Sequence, residues 1–241
     1  MKQKKINLAL QGGGSHGAFT WGVLDYLLED SRFDFEGISA TSAGSMNAVV
    51  MAAGFLQGKE DGARDYLRKF WRKVSDAGAV FCPTQTMVQG NPFADFMPKW
   101  MTAENPAMQF MNVMAQNISP YQFNPLNINP LRDILGEMVD FDAIRQNTDF
   151  KLFITATNVR TGASRIFTTP EMTRDMVLAS AALPNVFQAV EIDGDAYWDG
   201  GYVGNPSLWP LFYETEGHDL LIVHVNPILH KGRSEEHTSE L

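Results

Sequence analysis

Apolar and polar positions fall into blocks along this chain, and the blocks predict short strands separated by helices. Ile6–Leu10 is a brief apolar run that stops at Gln11-Gly12-Gly13-Gly14, which predicts a strand. From Ala18 to Glu29 apolar residues recur at helical spacing (Trp21, Leu24, Leu27, Leu28), with Asp25 and Glu29 among them, so a helix follows the glycines. Ile38–Thr41 predicts a second strand, and the small apolar residues from Met46 to Leu56 predict a buried helix. From Gly58 to Asp76 the pattern is amphipathic, with Leu67, Phe70, Trp71 and Val74 on one side and Lys69, Arg72 and Lys73 on the other.

Between residues 78 and 130 the periodicity breaks. Prolines at 83, 92, 98, 106, 120, 125 and 130 interrupt any long element, and phenylalanines alternate with methionines such as Met87, Met97, Met108 and Met111. This predicts an insertion of short helices and loops rich in adaptable apolar side chains. Regularity returns with a helix over 133–139 and strands over 151–157 and 165–168, then a helix over 174–182 before Pro184. Residues 190–192 and 196–198 read as strands joined by a turn at Asp193-Gly194. Asn205-Pro206 carries cap and first-turn chemistry for a helix. Residues 220–225 form a nearly continuous apolar strand. Strands apolar on both faces and separated by helices predict an α/β domain, a mostly parallel sheet with helices on both faces.

Composition narrows the class. The 241 residues, 44% hydrophobic and 20% charged, fit one globular domain with an insertion. The net charge of −9 gives no global attraction to nucleic acid. Cys82, alone, forms no intrachain disulfide and fits a reducing compartment. No apolar stretch is long enough to span a bilayer or to serve as a signal-peptide core, so the chain reads as soluble and cytoplasmic. Arg233–Leu241 matches a translated sequencing adapter, so residues 233–241 are expected to be non-native and the natural sequence to stop near Gly232 without its own C-terminus.

The candidate chemistry starts at Ala40-Thr41-Ser42-Ala43-Gly44. Small residues around a serine between a strand and a helix fit a nucleophile elbow, G-x-S-x-G, with Ala40 in place of the first glycine. Upstream, Gly12-Gly13-Gly14-Ser15-His16-Gly17 stands at another strand-to-helix turn. Its backbone N–H groups suit either a dinucleotide pyrophosphate or the oxyanion of a tetrahedral intermediate. A tight turn that binds nothing is the third reading. The dinucleotide reading wants an acid at the far end of the second strand, but Asp34 and Glu36 precede that strand and Ser42 follows it.

A serine hydroxyl also needs a base. The histidines are at 16, 218, 224, 230 and 237. Ser42, Asp199 and His224 follow the chain order of an α/β-hydrolase triad, but only one strand precedes this elbow, and His224 inside a strand is expected to be a hydrogen-bonded core residue. The alternative base is a carboxylate. In Trp198-Asp199-Gly200-Gly201, an acid ends a short strand, and burial would raise its pKa towards the range useful for accepting a serine proton.

These three sites, in this order, resemble the patatin-like phospholipase family, whose signature is a G-G-G-x-x-G loop, a G-x-S-x-G elbow and a later D-G-[GA]. The neighbouring Ser15–Phe19, Ser45–Ala48 and Leu183-Pro184 are similar to bacterial members as well. The resemblance implies a three-layer patatin-like fold over residues 5–232, with the insertion at about 78–130. It implies Ser42 as nucleophile and Asp199 as base of a Ser-Asp dyad, with Gly12, Gly13 and Gly14 as oxyanion hole and Gly17, Ala40, Gly44, Gly200 and Gly201 as motif positions. The implied activity is hydrolysis of lipid acyl esters through an acyl-enzyme, with no cofactor and no metal. The expected partners are a lipid or acyl-ester substrate and peripheral contact with a membrane, not nucleic acid; the oligomeric state stays open. His16 stands where many members carry Arg or Lys. The Phe/Met-rich insertion would line an acyl pocket or form a second small core. A catalytically silent lipid- or partner-binding member and a dinucleotide-binding oxidoreductase are the competing readings.

Overall fold

The computed structural model describes residues 3–30, 32–81, 119–146 and 149–226. In chain order they form β1 (Lys4–Leu10), α1 (Gly17–Glu29), β2 (Phe33–Ala40), α2 (Ala43–Phe81), α3 (Pro120–Phe123), α4 (Pro130–Met138), α5 (Phe141–Arg145) and β3 (Lys151–Asn158). There follow β4 (Ser164–Thr168), α6 (Arg174–Ser180), β5 (Val190–Ile192), β6 (Asp195–Asp199), α7 (Trp209–Tyr213) and β7 (Leu220–Val223). The Phe/Met-rich stretch from Met87 to Met114 lies outside the described residues, as do His230, His237 and the tail from residue 233.

The seven strands make one sheet in the order β5-β6-β3-β2-β1-β7, with β4 on the other edge of β3. The block β3-β2-β1-β7 is parallel, as expected of strands joined through helices. The remaining pairings, β3 with β4, β3 with β6 and β5 with β6, are antiparallel, so the sheet is more mixed than the sequence pattern suggests. The β5–β6 turn falls at Asp193-Gly194 as predicted. Both residues have positive φ (52° and 83°), the two-residue hairpin turn whose twist matches its strands.

Even-numbered positions of the central strands carry the main core. Leu8, Leu10, Ile38, Leu152 and Ile154 are fully buried against α1, α2, α4 and α6. Each contributes about 1.5–3 kcal/mol. The α2 helix breaks at Gly58-Lys59, the junction between its two predicted halves.

The opposite face differs from expectation, because its positions on β1 and β2 are small or polar: Asn7, Ala9, Gly37, Ser39. Little apolar area remains to bury, and among the described residues one five-residue helix, α7, packs on it through Leu211 against Ala9 and Phe153. Hydrogen bonds hold the rest. Asn7 Nδ2 donates to Thr215 Oγ1 and Gly217 O (both 2.8 Å), and Ser39 Oγ donates to Ser207 O.

Several boundaries shift for physical reasons. β2 begins at Phe33 rather than Ile38, because Glu36, which breaks the apolar pattern, is bonded by the N–H groups of Glu216 and Gly217 (2.8 Å each). Asn205-Pro206 starts no helix; α7 begins at Trp209, and the Asn205 side chain is used elsewhere. β7 ends at Val223 as an edge strand among the described residues, with Leu221 and Ile222 exposed. His224 therefore lies beyond the strand and exposed, not in the core, with Nδ1 against Asn226 O.

Candidate active site

The elbow is a corner that only small residues allow. β2 ends at Ala40, and α2 begins at Ala43. Between them Ser42 adopts φ 54°, a left-handed conformation that a non-glycine residue holds at a cost of about 1–3 kcal/mol. The surroundings hold it there. Ser42 N–H donates to Ser180 Oγ (2.9 Å), and Ser42 O accepts the N–H of Ser45 (2.9 Å) and the Ser45 hydroxyl. At Gly44 an added Cβ would stand 2.2 Å from Leu10 O, so no side chain fits there. The Ala40 methyl is fully buried in the core.

Strand register brings the second group. Because β4 pairs with β3 over residues 153–157, β2 and β6 must share the other edge of β3. Ala40 is opposite Ile154 and Asp199 is opposite Ala156, two residues further on, about 7 Å along the strand. β2 is parallel to β3 and β6 antiparallel, so their C-terminal ends meet head to head. Ser42 leaves one end and Asp199 closes the other.

Asp199 is 3% exposed. Its Oδ1 accepts Gly201 N–H (2.7 Å), its carbonyl accepts Thr157 Oγ1–H (2.7 Å), and its N–H donates to Ala182 O (2.9 Å). Oδ2 is buried with no fully formed hydrogen bond among the described residues. Burial pushes the Asp199 carboxyl above its ordinary pKa, while the Gly201 N–H and the Ser42 hydroxyl pull it back down. Nearby, burial and the Asp199 charge raise the pKa of Tyr202.

The glycine loop completes the corner. An added Cβ on Gly12 would stand 2.6 Å from Ser42 Cβ, so Gly12 lies directly against Ser42. Its N–H donates to Asn205 Oδ1 (2.6 Å), so of the three glycines expected to form an oxyanion hole this one has its donor engaged in the free protein. Gly13 and Gly14 N–H have no partner among the described residues, and the same holds for Ala43 N–H at the start of α2. Gly17 fits α1 against Ala43 and Trp71, and Gly200 passes over Thr155 O. His16 is exposed against Gly13 O, and no described histidine bonds to Ser42 or Asp199. Asp34 and Glu36 lie in the first half of β2, away from the loop, so nothing there serves a dinucleotide ribose. Among the described residues, no group of three metal-ligating side chains gathers.

A family model described as patatin-like phospholipase matches residues 8–212. The chain belongs to the patatin-like phospholipase family. Among solved structures it is similar to VipD from Legionella pneumophila, at 16% identity and a TM-score of 0.47, covering 92% of this chain and 49% of that one. It is also similar to the heterodimeric ExoU-SpcU complex from the type III secretion system of Pseudomonas aeruginosa, at 18% identity and a TM-score of 0.37, covering 79% of this chain and 38% of the matched one. The patatin-like chain thus spans half or less of the length of these proteins. No curated protein sequence matches it.

Three further residues of this corner carry little sequence signal. Ser180 ends a helix, Ala43 contributes only its N–H, and Asn205 reads as a helix cap. A separate apolar cavity of about 570 Å³ lies between α2, α4 and the loop after α6, lined by Val74, Ala77, Ile128, Leu131, Val186 and Phe187. Neither Ser42 nor Asp199 lines it. One loop connects the two places: Ala182 O holds Asp199 N–H, and Val186 and Phe187 donate to Leu183 O. No described helix is long and apolar enough to cross a membrane.

Proposed function

We propose that this protein hydrolyses lipid acyl esters, with Ser42 as nucleophile and Asp199 as general base. The observation that carries the reading is the pairing of a strained, left-handed Ser42 with a buried carboxylate whose Oδ2 has no other partner among the described residues. As Ser42 Oγ attacks the ester carbonyl carbon, its proton passes to Asp199. A carboxylate of ordinary pKa is a weak base for this step; burial strengthens it. The negative oxygen of the tetrahedral intermediate is received by the N–H groups of Gly13, Gly14 and Ala43, the last at the N-terminal end of α2, whose dipole favours negative charge. On collapse, Asp199 returns the proton to the leaving alcohol and an acyl-Ser42 ester remains. Water then attacks that ester and Asp199 takes its proton; as the acyl–Oγ bond breaks, Asp199 passes the proton to Ser42 Oγ, which frees Ser42 and the fatty acid.

The apolar cavity is suited by size and lining to an acyl chain. Membrane contact is peripheral in this reading, since the substrate is presented at a lipid surface. The test is turnover of a phospholipid, a neutral glyceride and a simple ester by wild type, Ser42→Ala and Asp199→Asn. Release of fatty acid that both variants lose supports the proposal. Folded wild type that binds lipid vesicles but releases no acid from any of the three would favour a catalytically silent lipid-binding protein.

A further inference from the structure

We infer that Asn205 is a positioning residue that fixes the glycine loop against the nucleophile. The inference rests on the reading of Ser42 and Asp199 given above. The bond from Gly12 N–H to Asn205 Oδ1 is short (2.6 Å) and joins residues 193 apart in sequence. The acceptor must be the amide oxygen, because the opposing group is a donor. Gly12 is the loop residue nearest Ser42, and the next two residues supply the proposed oxyanion donors. Whatever fixes the peptide of Gly12 therefore sets the direction of the N–H groups of Gly13 and Gly14.

Asn205 is itself held from both sides. Gly204 N–H donates to Gly200 O (2.9 Å), tying the segment to the turn after Asp199. Gly204 O accepts Thr41 Oγ1–H (2.8 Å), and Ser207 O accepts Ser39 Oγ–H, tying it to the end of β2 and the turn that carries Ser42. One short segment thus links base, elbow and glycine loop. The residue type fits the role. An aspartate would accept the same bond but place a full negative charge beside the developing oxyanion, whereas the asparagine amide accepts while staying neutral.

The experiment compares wild type, Asn205→Ala and Asn205→Asp, each as the full chain, by kcat and KM on a simple ester, Tm and the exchange rate of the Gly12 amide. A misplacement of about 1 Å can cost on the order of 100-fold in rate. Asn205→Ala is therefore expected to lower kcat at least about tenfold with KM little changed, and to speed exchange at Gly12. Asn205→Asp should keep slow Gly12 exchange and still lose kcat through its charge. A folded Asn205→Ala with wild-type kcat, or with its loss entirely in KM, overturns the inference. If Asn205→Ala is recovered unfolded, Asn205→Asp decides, and wild-type kcat there overturns it. Failure of the underlying reading looks different: Ser42→Ala would then hydrolyse the ester as fast as wild type.

Discussion

The two small residues that flank the elbow serine should respond in opposite ways to exchange of a methyl group. Ala40 stands where the regular motif has glycine, and its methyl is fully buried in the main core at the end of β2, with Leu10 and Ile154 as register partners. Ala40→Gly removes that methyl, worth about 0.8 kcal/mol of burial. It also places glycine inside a strand, which costs a further 0.5–1 kcal/mol or so. Together these predict a loss of about 1.5 kcal/mol, or a fall in Tm of roughly 3–6 °C for a domain of this size. Gly44→Ala adds a methyl 2.2 Å from Leu10 O and 2.8 Å from Leu10 C, which are main-chain atoms that cannot swing aside. α2 must then lift from β1, at a cost of about 1–3 kcal/mol or more, and the lift carries Ser42 away from Asp199. Calorimetry with ester turnover on both variants checks this. The expected order is a modest Tm loss with most activity kept for Ala40→Gly, and loss of both for Gly44→Ala. An Ala40→Gly protein more stable than wild type, or a Gly44→Ala protein with wild-type Tm and kcat, would refute the account of this corner.

Ser180→Ala deprives Ser42 N–H of its acceptor and should cost about 1–3 kcal/mol in stability, with a fall in kcat as the strained φ relaxes; wild-type kcat would mean the elbow holds itself. Asp199→Asn should abolish turnover yet raise Tm at neutral pH. The folded pKa of Asp199 lies above its unfolded value, so the group favours folding only when protonated; its cost develops as pH rises from the unfolded towards the folded pKa and is complete above it. The Tm advantage of Asp199→Asn over wild type should therefore shrink on acidification, and an Asp199→Asn protein less stable than wild type at neutral pH contradicts this sign. For the cavity, Val186→Trp should lower the ratio of long-chain to short-chain ester turnover several-fold, because the half-exposed Val186 wall would then fill the space. An unchanged ratio would remove the cavity from the acyl path.

Much of the patatin-like fold is legible locally. β1 and β3 announce themselves by continuous apolar runs, and Asp193-Gly194 by residue types that accept positive φ. The three motifs are legible for the same reason, since each is a turn whose backbone tolerates only small residues. What escapes is long-range or polar. Asp34, Glu36 and Gly37 hide the first half of β2, because the groups that satisfy Glu36, Lys5 and the N–H groups of residues 216 and 217, come from other elements. The polar second face of β1 and β2 looks like ordinary strand sequence until chain 204–217 is seen bonded to it. Asn205 has the local chemistry of a helix cap, and only tertiary structure shows its oxygen spent on Gly12. The engagement of Gly12 N–H escapes for the same reason, because sequence shows three adjacent N–H groups but not that the first is bonded to Asn205. α5, five residues long, is too short to carry a periodicity.

The central claim is that Ser42 is made nucleophilic by Asp199. Its most direct test is mass spectrometry of the intact protein and its peptides after reaction with a fluorophosphonate. The account predicts a single covalent adduct on the peptide carrying Ser42, absent in Ser42→Ala and strongly slowed in a folded Asp199→Asn. An adduct on another serine, or undiminished labelling of Ser42 in Asp199→Asn, would contradict it.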